Sequence, residues 1–170
     1  MQFELERQKA KLSSLNARAE KHGEEKVPHA DVVFTFDAPN DILSEFDPAL
    51  KSSLYRKPDA AGDQGELMDE EGWLPKLRFP AMSAFKWDYE MVGGLLTIHY
   101  GPSGKGDLVL EITKADGFKF MPRDGGTVEV TFRVATKPSE KEIGKLFSMI
   151  QEDVEMSLAP PQADAMKEAA

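Results

Sequence analysis

Thr127-Val-Glu-Val-Thr-Phe-Arg-Val-Ala-Thr136 is the stretch that decides the fold. Val128, Val130, Phe132 and Val134 alternate with Glu129, Thr131 and Arg133, the period of a strand with one buried and one wet face. Arg123-Asp-Gly-Gly126 reads as the turn into it, and the same pattern recurs upstream. Phe118 and Phe120 follow Asp116-Gly117. Leu108, Leu110 and Ile112 follow the turn Gly101-Pro-Ser-Gly-Lys-Gly106, and Leu96, Ile98 and Tyr100 share one face after Gly93-Gly94. Phe85, Trp87, Tyr89 and Met91 alternate with Lys86, Asp88 and Glu90. Four or five antiparallel strands in a meander account for this block.

Helical signals flank the meander. Ala38-Pro-Asn40 ends a strand, with Asn40 placed to cap a helix carrying Ile42, Leu43 and Phe46. Asp47-Pro48 starts a second short helix with Leu50 and Leu54 on its inner side, so 41–55 reads as a kinked pair. Ser139 with Glu142 forms a capping box, and Ile143, Leu146, Phe147 and Ile150 make an apolar stripe on a helix over 139–150. Val154, Met156 and Leu158 close the fold as a strand.

The first 37 residues admit two readings. Leu5, Leu12, Leu15 and Ala19 fit helical spacing. Alternatively a strand over 9–17 turns through Glu20-Lys-His-Gly-Glu-Glu-Lys26 and returns over 31–37, where Val32-Val-Phe-Thr-Phe36 is rich in strand-forming residues.

The 170 residues contain 30 acidic and 21 basic side chains, a net charge of −9, and no cysteine. That excludes a disulfide scaffold, a thiol nucleophile and a cysteine-ligated metal. No apolar run approaches the ~20 residues of a membrane span, and the N-terminus lacks the apolar stretch of a secretory signal. The expectation is one cytoplasmic domain over 1–160, an acidic mobile loop over 59–72 and a frayed tail over 161–170. Asp59, Asp63, Glu66, Asp69, Glu70 and Glu71 hold six of the excess negative charges, and setting them aside moves the net charge from −9 to −3.

Catalytic signals are few. Gly101-Pro-Ser-Gly-Lys-Gly106 is too short for a phosphate loop, and its Lys precedes Gly where Ser or Thr is needed. His22 and His29, with Glu24, Glu25 and Asp31, sit in and around an expected loop, which offers no rigid ligand spacing; no metal is assigned. His99 lies on the polar side of its strand within reach of Asp88 or Glu90, with no activated serine signature beside it. The aromatics Phe85, Trp87, Tyr89, Tyr100, Phe118 and Phe120 fall in with the aliphatic face, as a core does. The opposite face sets Lys86, Lys119 and Arg133 against Asp88, Glu90, Glu111 and Glu129, so it has no pull on phosphate of its own. Neither catalysis nor a cofactor is expected.

Glu20-Lys-His-Gly23, Leu77-Arg-Phe-Pro80, Lys86-Trp-Asp-Tyr89, Asp124-Gly-Gly-Thr-Val128 and Phe132-Arg-Val134 resemble a family of uncharacterised proteins from tailed phages and prophages, over most of residues 9–160. The resemblance implies a bacterial host cytoplasm and work beside phage recombination or replication functions; it brings no catalytic residues. Two strands followed by a curled meander suggest an oligonucleotide-binding-like barrel, from which the helical insertion at 41–55 departs. The leading expectation is a non-catalytic, weak single-stranded-DNA binder using Arg18, Lys21, Lys26, Arg78 and Lys86. The alternative is an acidic inhibitor that presents Asp63, Glu66, Asp69, Glu70 and Glu71 to a basic host protein in the manner of a DNA mimic. A structural or assembly protein is the third possibility.

Overall fold

The computed structural model describes residues 1–59 and 72–162. In chain order the elements are β1 (Leu5–His22), β2 (Glu25–Pro39), a 3₁₀ turn (Asn40–Ile42), α1 (Leu43–Phe46), α2 (Leu50–Leu54), β3 (Tyr55–Arg56), β4 (Lys76–Leu77), β5 (Phe85–Trp87), β6 (Met91–Val92), β7 (Leu95–His99), β8 (Leu108–Arg123), β9 (Thr127–Thr136), α3 (Glu140–Ser148) and β10 (Asp153–Ala159). Hydrogen-bonded neighbours run β8-β7-β10-β1-β2-β9 and return to β8, so six strands close an antiparallel barrel. This is the α+β architecture expected from the sequence, compatible with an oligonucleotide-binding-like barrel and carrying the short helical pair and the single C-terminal helix.

The described chain divides into two compact units. Asp37–Phe85 and Lys119–Val130, with Met1, form one; Gln2–Phe36, Lys86–Phe118 and the chain from Thr131 form the other.

In the larger unit the alternating residues Ala30, Val32, Phe34 and Phe36 of β2 point inward together with Phe132 and Val134 of β9. Phe132 stacks on Phe118 with centroids 5.4 Å apart and planes 7° from parallel, while Phe3 meets both rings edge-on at 5.2 and 6.0 Å. Burying each such ring removes enough apolar surface to contribute about 1.5–3 kcal/mol. Phe3, outside every expected element, is fully buried.

The helical reading of the N-terminal segment gives way to the strand. Leu12 is buried and Leu15 half-buried, but Ala19 is exposed, and the backbone groups are consumed by ladders to β10 through Leu5–Lys11 and to β2 through Lys11–His22. The polar stretch expected as a turn over Glu20–Lys26 is also mostly strand. Only Gly23-Glu24 turns, with Gly23 at φ +69°, the positive angle that a two-residue hairpin loop demands at its first position. In β8 the expected break at Asp116-Gly117 is instead a bend in one long strand. The inward phase steps from Ile112 to Ala115 to Phe118 before resuming alternation, and Gly117 at φ +66° absorbs the irregularity.

Three local expectations are corrected. Phe147 is not part of the buried stripe: it is 70% exposed, and Leu146 alone of α3 is fully buried, because the nine-residue helix turns a narrow edge inward. Tyr100 lies just past the end of β7 and is exposed, its hydroxyl bonding Met149 Sδ at 3.0 Å. Asn40 makes no capping bond; Nδ2 donates to Leu74 O at 2.8 Å, and its backbone N–H donates to Gly126 O at 2.8 Å. The capping box at Ser139 is present, with Oγ accepting from the Glu142 N–H at 3.2 Å.

In the smaller unit, Phe46 meets Phe120 edge-on at 4.8 Å, and Tyr55 is buried with its hydroxyl between Arg123 O and Thr127 O. Lys51 Nζ bonds both Asp41 and Gly72 O, tying α2 to its surroundings.

Candidate nucleic-acid interface

From Asn16 to His22 every residue of β1 is exposed, as are Glu25 and Lys26 of β2. The distal parts of these strands therefore form a wet two-stranded ribbon. The register places Arg18 opposite His29, Glu20 opposite Val27, Lys21 opposite Lys26 and His22 opposite Glu25. Since side chains alternate, the ribbon has two different faces. One presents Lys21 and Lys26 beside Ala19 and Pro28; the other presents Arg18, Glu20, His22, Glu25, His29 and Asp31.

Three of the five expected DNA-contacting cations thus lie on the ribbon, but not together. Arg18 Nη1 donates to Asp31 Oδ2 at 2.6 Å and Nε to Glu20 Oε1 at 3.4 Å, and the hydrogen bond it gives to Asp31 raises its pKa further. Its charge is matched by acids of its own face. Lys21 and Lys26 form no ion pair with any described residue. Lys86 is an exposed residue of β5. Arg78 belongs to the smaller unit, where Nε donates to Ser52 O at 2.8 Å and Tyr55 O at 3.1 Å, so its guanidinium holds the end of α2. Asp63, Glu66, Asp69, Glu70 and Glu71, proposed for a basic partner, lie outside the described residues, as does most of the 59–72 loop and the tail beyond 162.

Sequence reasoning missed the partners of His99. Nδ1 lies 3.0 Å from Asp107 Oδ2 and Nε2 lies 2.7 Å from Ser157 Oγ. Asp88 and Glu90 play no part; the register aligns β7 with β10 and the Gly101–Gly106 turn returns Asp107 to the end of β7. The Asp107 carboxyl is held below its usual range, first by the Tyr100 N–H and then by His99. An ionised carboxylate only accepts, so Nδ1 carries a proton and donates to Asp107, while Nε2 and the serine hydroxyl share the second hydrogen bond. That order of groups activates the serine in hydrolases. Here Ser157 sits in a regular strand paired on both sides, and its Oγ already accepts the Arg7 N–H at 3.0 Å. Arg7 has φ +43° at the irregularity between Leu5 and Gln8, where the ladder is interrupted. The network satisfies that orphaned N–H and fixes the β1–β10–β7 junction. The outward positions of Thr97, His99, Glu155 and Ser157 were readable; the pairing of β7 with β10 was not.

No protein-family model, curated protein or solved structure matches the chain. Among the described residues, no helix is long and apolar enough to cross a membrane.

Proposed function

We propose that this protein is a non-catalytic binding module of the phage or prophage kind, working beside DNA replication or recombination proteins and touching single-stranded DNA weakly through the β1–β2 ribbon. One observation carries the reading: Lys21 and Lys26 are directly opposed across the hairpin and exposed, with no acidic partner among the described residues. Like charges in that position repel and destabilise the pair by a fraction of a kcal/mol. A bound phosphate relieves the repulsion, and the small neighbours Ala19 and Pro28 leave room for a backbone to approach. The barrel supports the ribbon on a closed sheet, an architecture that also serves single-strand binders.

The test is fluorescence anisotropy with a labelled single-stranded oligonucleotide over a range of salt. Single strands lose affinity with a log–log slope of about −0.7 per phosphate contacted, so two lysines give about −1.4. The double variant K21Q/K26Q removes that slope. Absence of binding even at low ionic strength overturns the reading.

A further inference from the structure

The other face of the ribbon carries a second, independent feature. Glu20 Oε2 lies 3.2 Å from His29 Nε2 and 3.8 Å from His22 Nε2, and one ligand atom from each residue falls within 4.8 Å of the other two. The imidazole planes are 25° apart with centroids separated by 6.3 Å. His29 is largely covered, its side chain 13% exposed, and Nε2 is a buried nitrogen without a hydrogen-bond partner among the described residues. The carboxylate oxygen is near it but off the line of a ring N–H. A ring nitrogen this close to a carboxylate oxygen needs a proton or a metal ion between them, and the buried Nε2 makes no hydrogen bond among the described residues.

We infer that Glu20, His22 and His29 form a binding site for a divalent transition metal of the zinc class. Two imidazoles and one carboxylate are a borderline-to-hard donor set that suits zinc, and three protein ligands leave a fourth position open. Bonds of about 2.0–2.1 Å place tetrahedral ligand atoms roughly 3.3 Å apart, so the Glu20–His29 separation already fits and His22 has only to swing inward. The ligands sit on paired strands: Glu20 and His22 are two apart on β1, and His29 is diagonal to Glu20 on β2. A surrounding shell is also in place. Arg18 Nε holds the other oxygen of Glu20, turning Oε2 toward the imidazoles, and Asp31 in turn anchors Arg18. Glu25, directly across from His22, shares the face and is the nearest further acid by register. The ion would staple the distal ribbon, which has no barrel partner for the end of β1.

Isothermal titration of untagged, full-length protein with zinc, repeated with cobalt(II) and its visible absorption, tests the site. The expected result is a single saturable zinc per chain, ring-nitrogen NMR shifts at His22 and His29 with His99 unmoved, and slowed amide exchange in the ribbon. Ligand variants H22Q, H29Q and E20Q each weaken zinc at least about tenfold while the barrel amide spectrum stays that of the wild type. His22 and Glu20 are exposed, so their variants keep the fold even if H29Q does not. No saturable uptake, uptake unchanged by H22Q or E20Q, or shifts centred on His99 would overturn the inference.

Discussion

Arg133 grips Asp116 through two parallel hydrogen bonds, Nε to Oδ1 and Nη2 to Oδ2, each 2.9 Å long. Asp116 immediately precedes the bend at Gly117, so this fork holds β9 to β8 where the latter's alternation slips. Lys114 Nζ adds a contact to Asp116 Oδ2 at 2.9 Å. The Arg133 hydrogen bonds keep the Asp116 carboxyl below its usual range against the opposing effect of burial, with Lys114 assisting.

Acid should therefore loosen this junction. A carboxyl with a depressed folded pKa adds stability above its unfolded value of about 3.9, and that contribution is lost as pH falls through the lower, folded one. Thermal melts between pH 7 and 3 should show the D116N variant with a lower Tm at neutral pH and a shallower acid limb than wild type. The neutral-pH drop is modest, because Arg133 is nearly half exposed and screened by water. Parallel acid limbs in the two proteins would contradict the assignment.

Tyr55 makes a sharper prediction. Its hydroxyl meets Arg123 O at 2.9 Å and Thr127 O at 3.1 Å while accepting the Arg123 N–H at 3.0 Å, and burial pushes its pKa up to about 12. In a spectrophotometric titration, Tyr55 should be the tyrosine that ionises near that value, and Y55F should abolish the late step. The same variant strips the hydroxyl from a buried site and should cost about 1–3 kcal/mol in a denaturant melt.

In α3 neighbouring residues should behave oppositely. L146A removes a fully buried side chain and should cost about 2–5 kcal/mol. F147S, at a position 70% exposed, should stay within about 0.5 kcal/mol of wild type. A large loss at Phe147 would show that it is covered in solution.

The barrel was legible because its strands carry strict alternation: Val128 to Val134 and Leu108 to Ile112 each point one way at every second residue. Where the period fails, so did the reading. The distal ribbon has wet residues on both faces from Asn16 onward, so composition makes it look like a loop, although its ladder to β2 is continuous. A loop gives His22 and His29 no rigid spacing as ligands, whereas the paired strands that carry them do. Phe147 misled because a stripe at helical spacing says nothing about how wide a face a short helix buries. Ser157 and His99 are 58 residues apart, and the adjacency of β7 and β10 is a long-range fact of topology that neither local pattern contains.

The most direct test of the central claim is a backbone-amide NMR map of the full-length protein titrated with a short single-stranded oligonucleotide at low salt. Shifts concentrated on Ala19, Lys21, Lys26 and their neighbours across the hairpin, and absent in K21Q/K26Q, are what the ribbon interface predicts. Saturable binding whose shifts leave the ribbon untouched, or a spectrum indifferent to the oligonucleotide, would contradict it.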